Sequence, residues 1–254
     1  YLDLPLERLD EPTLADAFGG QRVRPAVAGI DGVAAQMRRQ QTGGVAQDEE
    51  RLADLGILEN DVLAAHCVHL DESDIELLAQ NDVVVAHNPT SNMKISSGAA
   101  PVQELSNHGI QIALGTDGPG TNNDLDMFGE MRQASFLAKL NTNDPTALSA
   151  EKTLAMATGK GINKFDVSGS GVIAEGRRAD LIGLKRDSAA HWTPEYRTTS
   201  NLVYSGKSSD VEMVMVDGKM VMIDGKIKTI DEGKVLDKVQ EISQKYDKIR
   251  KNHK

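Results

Sequence analysis

Residues 62–70 read VLAAHCVHL, and the segment Val62–Val68 runs apolar with His66 set inside it. A strand covered on one face alternates apolar and polar residues. A continuous run of Val, Leu and Ala, bounded by Asn60-Asp61 and by Asp71, instead predicts a strand buried on both faces. Asp71–Ala79 follows with Ile75, Leu77 and Leu78 apolar and Asp71 placed to cap the first turn, which predicts a helix. The unit then repeats. Val83–Ala86 is a second buried strand, Val102–Asn107 a short helix after Pro101, and Ile110–Leu114 a third strand. Strands that alternate with helices imply a parallel sheet with helices outside it.

Downstream, Phe128–Leu140 and Ser149–Thr158 carry amphipathic helical patterns. The style then changes to short β runs with close turn signals over residues 169–184 and 211–227. Asp217-Gly218 and Asp224-Gly225 are hairpin-turn pairs. Residues 232–250 form a charged helix with Val235, Val239, Ile242, Tyr246 and Ile249 near one face, expected to pack on the body of the protein. Upstream of about residue 50 the chain differs in character. Its basic side chains are all arginine, the first lysine being Lys94, and residues 43–47 are rich in Gly, Ala and Gln. A divergent segment and a non-native reading frame both account for it. The expected organisation is therefore an unassigned segment over 1–50, a barrel-like part over 51–165, a β segment over 166–230 and a terminal helix over 231–254.

Composition narrows the functions. The 254 residues carry a net charge of −10, which argues against a nucleic-acid backbone as partner because phosphate contacts need Lys and Arg. An uncharged nucleoside is not excluded. Cys67 is the single cysteine, so no internal disulfide forms and a cytoplasmic setting is expected. No apolar stretch approaches a membrane span, so no membrane partner is expected, and no signal segment opens the chain. The sequence begins without methionine, as a cut product or fragment would.

Chemistry gathers where the three buried strands end: His66, Cys67 and His69 after the first, His87, Asn88, Ser91 and Asn92 after the second, Asp117 after the third. In a parallel barrel, loops at those ends build the active site. His66, taken alone, is more often a core imidazole bonded to a carbonyl. His69 sits an odd number of positions away and faces the other side of an ideal strand. Asp117 precedes Gly118-Pro119-Gly120 and reads equally as a turn residue or as a metal-binding carboxylate that accepts a proton from bound water. Cys67 reads as an inert thiol. The amides of Asn88, Asn122 and Asn123 suit substrate contacts and helix caps alike.

Together, VLAAHCVHL (62–70), VVVAHNPTSNMKISSG (83–98), LGTDGPGTNNDLDMFGEMR (114–132) and EGRRADLIGL (175–184) resemble the amidohydrolase superfamily, in its 5-methylthioadenosine/S-adenosylhomocysteine deaminase branch. Triazine and guanine hydrolases are the alternative branch, and a non-catalytic scaffold the alternative class. The resemblance implies an α/β fold: the last strands, six to eight, of an incomplete (β/α)8 barrel, with the C-terminal half of a small β-sandwich. It implies a zinc-dependent hydrolytic deaminase acting on 5'-methylthioadenosine or S-adenosylhomocysteine. Asp117 maps onto the last-strand metal ligand and water-activating carboxylate. His66 maps onto the sixth-strand histidine that supports the tetrahedral intermediate, and Asn88 and Ser91 onto the substrate loop after strand seven. The same resemblance exposes a deficit. No histidine precedes His66, so the family's His-x-His pair and fifth-strand histidine have no counterpart here. Asp117 alone remains of four protein ligands, whereas catalytic zinc normally takes three plus water. Activity is therefore expected to be impaired, and open sheet edges leave a homo-oligomer possible.

Overall fold

The computed structural model describes residues 52–159, 164–165, 171–186 and 189–252. The segment 1–50 lies outside these residues, as do Gly169 and the side chain of Ile249.

Two sheets organise the described residues. The first contains β1 (Leu63–Ala65), β2 (Val84–His87) and β3 (Ile112–Leu114) in parallel, in that spatial order. Ala65 pairs with Ala86, and Ala86 with Ala113. Val83 and Val85 join the main core with Ile110, Ile112, Leu114 and the helix residues Ile75, Leu78 and Leu105, while Val84 and Ala86 point the other way. Among the described residues the sheet has three strands and does not close into a barrel.

Helix α1 (Glu72–Gln80) connects β1 to β2 and starts as its sequence predicts. The Asp71 carboxylate accepts from Asp74 N while the Asp74 carboxylate accepts from Asp71 N, a reciprocal capping box. The stretch after β2, expected to be a loop, is a short helix α2 (Pro89–Lys94) with Pro89 at its first position, where the missing N–H costs nothing. Helix α3 (Val102–Asn107) leads into β3. Helix α4 (Met127–Thr142) is capped by Asp126, and α5 (Ala150–Ala157) by Ser149. Both lie with α6 (Thr198–Tyr204) on the core side.

The second sheet is antiparallel: β4 (Leu181–Leu184), β5 (Val211–Val216), β6 (Lys219–Ile223) and β7 (Lys226–Ile227). Both predicted hairpin turns occur, with positive φ at Asp217, Gly218, Asp224 and Gly225. Two successive left-handed residues match the strand twist, which explains the Asp-Gly pairs.

Two expectations need correction. Strand β1 ends at Ala65 rather than Val68, because His66 (φ 71°) and Cys67 (φ 48°) turn into the left-handed region. The odd-spacing argument about His66 and His69 therefore has no ideal strand to stand on. Helix α7 (Glu232–Asn252) forms, but Val235, Val239, Ile242 and Tyr246 remain exposed rather than packed on the body.

Candidate functional site

His66 N still donates to Ala86 O (2.9 Å), so the ladder runs one bond past β1 before the chain turns. Asp117, beyond β3, is also left-handed (φ 59°). Non-glycine residues in this conformation are uncommon and cost of order 1 kcal/mol or more. The two residues singled out for chemistry thus both sit on strained turns at the same end of one sheet.

Helix α2 joins them. Its consecutive residues Ser91 and Asn92 are fully buried. Successive helical residues diverge by about 100°, so the two side chains reach different strands. Ser91 Oγ donates to Asp117 Oδ2 at 2.5 Å, and His66 Nδ1 lies 2.8 Å from Asn92 Oδ1. Asp117 accepts two further bonds, from Thr121 Oγ1 to Oδ2 (2.7 Å) and from Gly118 N to Oδ1 (2.6 Å). Burial opposes its ionisation. The bonds from Ser91, Thr121 and Gly118, with the positive influence of His66, outweigh that and hold the carboxyl below its usual pKa. Asp117 is therefore an anion at neutral pH, close enough to His66 to feel its charge.

The remaining residues divide clearly. Asn88 is buried, and its Nδ2 donates to Ala86 O (3.1 Å). Its Oδ1 lies against Gly115, where an added Cβ would stand 2.5 Å away. Gly115→Ala is expected to displace the Asn88 amide and cost roughly 1–3 kcal/mol. A chemical-denaturation midpoint unchanged from wild type would refute this. Asn122, weighed for substrate, instead donates to Thr116 O (2.9 Å) and Glu130 Oε1 (2.6 Å). Asn123 Oδ1 accepts from Lys94 Nζ (2.5 Å). Cys67 Sγ lies 3.7 Å from Ala64 O, and His69 is exposed.

The sequence marks Asn92 and His87 only as polar residues beyond a buried strand and does not single out Glu130 or Thr121. His87 is 1% exposed, with Nδ1 lacking a partner among the described residues. Burial, reinforced by the charge of His66, lowers its pKa to about 4. Glu130, on α4, is 1% exposed and also accepts from Thr90 N (3.3 Å), tying α4 to the first turn of α2. A buried polar residue on an otherwise apolar helix face is the signal that could have found Glu130.

An ionised carboxylate and an imidazole thus stand at the same end of one sheet, each bonded to one of two consecutive residues of α2. The amidohydrolase family model matches residues 28–221. The chain belongs to the amidohydrolase family. Among its relatives, this amidohydrolase chain is 49% identical over 196 residues to a 5-methylthioadenosine/S-adenosylhomocysteine deaminase of Syntrophomonas wolfei, covering 76% of this chain and 45% of that protein. It is 44% identical over 193 residues to a 5'-deoxyadenosine deaminase of Methanosarcina mazei, covering 76% of this chain and 44% of that one. The crystal structure of a zinc-bound adenosine deaminase from Xanthomonas campestris superposes with a TM-score of 0.75 at 34% identity, covering 87% of this chain and 49% of that one. The chain thus spans just under half the length of the proteins it matches.

Zinc finds too few donors here. Among the described residues no group of three His, Cys, Asp or Glu side chains could hold a metal ion. Asp117 offers one carboxylate, and three of the bonds to its oxygens are already taken up by protein donors. A catalytic zinc needs three protein ligands, so the described residues of this amidohydrolase do not fit the ion by themselves. No helix of the described residues is long and apolar enough to cross a membrane.

Proposed function

We propose that this chain supplies the C-terminal part of the active site of a hydrolytic deaminase for adenine nucleosides, with 5'-methylthioadenosine and S-adenosylhomocysteine as substrates. The observation that carries the reading is the seating of Asp117 and His66 on the adjacent residues Ser91 and Asn92. Relatives of both the methylthioadenosine and the deoxyadenosine type support an adenine ring as the common feature. In this reading β1, β2 and β3 are the last three strands of a (β/α)8 barrel within 51–165. The antiparallel sheet within 166–230 is the C-terminal half of a β-sandwich, and 231–254 is a terminal helix.

The residues present have defined parts. Asp117, ionised at neutral pH, is a base for the proton of a water attacking the carbon that bears the exocyclic amine. His66 stands at the same end of the sheet, where its imidazole hydrogen-bonds the attacking water while Asp117 takes the water's proton and the C=N electron pair moves to the ring nitrogen. Ser91 orients Asp117, and Asn88 shapes the wall between β2 and β3. The described residues do not supply the ligands for a metal. The activity accordingly requires the amino-terminal portion that the longer relatives possess.

The test joins residues 52–254 to the amino-terminal portion of the Syntrophomonas wolfei deaminase, loads zinc, and measures ammonia release from both nucleosides. Activity is expected, and Asp117→Asn should lower kcat/KM by roughly a thousandfold. A joined protein that folds and retains zinc but releases no ammonia would overturn the reading.

A further inference from the structure

We propose that Asn92 is a positioning residue that fixes His66 in its Nδ1–H form, leaving Nε2 as the nitrogen that meets water or nucleoside. The inference rests on the reading of His66 as a site residue, but its test does not depend on catalysis.

Three observations support it. First, Asn92 Oδ1 stands 2.8 Å from His66 Nδ1 in a buried setting. A carbonyl oxygen only accepts, so the nitrogen facing it carries the proton, and the ring's tautomer is set by that bond. Second, Asn92 is locked. It is fully buried, and its backbone carbonyl accepts from Ser97 N (2.9 Å) and Ser97 Oγ (3.3 Å). Third, Asn92 Nδ2 has no hydrogen-bond partner among the described residues. A buried amide N–H left unpaired costs about 1–3 kcal/mol. Among the described residues the oxygen is the amide atom that the fold engages.

The choice of oxygen has a chemical consequence. With the carbonyl toward Nδ1, His66 keeps the same bond whether neutral or protonated, and a proton enters or leaves at Nε2 alone. With the amide reversed, an N–H would face Nδ1, the ring would carry its proton on Nε2, and protonation would set two donors against each other. The sequence pair Ser91-Asn92 thus presets both members of the site: a hydroxyl for the carboxylate and a carbonyl for the imidazole.

The test is proton–nitrogen correlation NMR on the imidazoles of the full 254-residue chain at neutral pH, with His66 assigned through His66→Gln. His66 is expected to show a pyrrole-like Nδ1 and a pyridine-like Nε2. Asn92→Asp keeps an acceptor and should preserve the pyrrole-like Nδ1. Asn92→Leu removes the acceptor at similar volume and should abolish the preference for Nδ1–H. A wild-type ring protonated on Nε2, or an unchanged Nδ1–H signature in Asn92→Leu, would overturn the proposal. Should Asn92→Leu fail to fold, the wild-type spectrum still decides, since a ring protonated on Nε2 is incompatible with a bond from Nδ1–H to the Asn92 oxygen. Failure of the deaminase assay with this signature intact would count against the function and leave the positioning role standing.

Discussion

Acidification from pH 7 to pH 4 is expected to remove roughly 3 kcal/mol of stability through His87 alone. The imidazole is 1% exposed and closes strand β2, where burial and then the charge of His66 bring its pKa from 6.5 to about 4. One pKa unit corresponds to about 1.4 kcal/mol. The sign follows from linkage: the unfolded chain binds the proton near 6.5, whereas the folded chain resists it until about 4. The stabilising contribution is therefore complete above 6.5 and is lost progressively as the pH falls through the folded value. Urea denaturation at pH 7, 5.5 and 4 measures it. His87→Gln, which does not titrate, should flatten the difference while the exposed carboxylates keep their common background. Parallel curves for the two proteins across that window would show that His87 is not the buried neutral group described.

Glu130→Ala is expected to destabilise the fold by roughly 2–4 kcal/mol at neutral pH. Its carboxylate is buried on α4 and accepts from Asn122 Nδ2 and from the backbone N–H of Thr90. Truncation leaves the Thr90 N–H and one Asn122 proton without acceptors in a dry environment, although Asn122 retains Thr116 O. It also frees the first turn of α2, so Ser91 and Asn92 lose their fixed approach to Asp117 and His66. Glu130→Gln should cost less, because its amide oxygen replaces one acceptor. Burial raises the Glu130 pKa above the usual carboxylate value, against the bonds that lower it. A raised folded value means that the contribution is greatest at acid pH and falls as pH rises through it. The gap between wild type and Glu130→Ala should accordingly widen in acid. A gap below about 0.5 kcal/mol at both pH values, read from urea midpoints, would remove Glu130 from the framework of the site.

The parallel sheet was legible because its strands are apolar on both sides. Val83–Ala86 and Ile110–Leu114 fall within a residue or two of β2 and β3. Asp71 caps α1 as its position implied, and both Asp-Gly turns appear where expected. These features are local: a cap, a turn or a run of buried residues is written within a few positions. Other features were not legible. Strand β1 reads as seven residues and occupies three, because nothing in AAHCV announces two left-handed residues. The α7 stripe Val235, Val239, Ile242 and Tyr246 has the spacing of a packed face and is exposed, because spacing says which residues could share a partner and not whether one is present.

Amphipathic and apolar periodicity, with the order of the four motifs, established from the chain alone that three βα units carry His66 and Asp117 at strand ends in an amidohydrolase-like chain. Which polar atom meets which required the folded molecule. His66 and Asn92 are separated by 26 positions, as are Ser91 and Asp117. Both contacts depend on parallel register, on two strained turns and on the rotational phase of a six-residue helix. Periodicity reports which face a side chain is on. A hydrogen bond depends on placement to a few tenths of an ångström, and that is settled only when every element has packed.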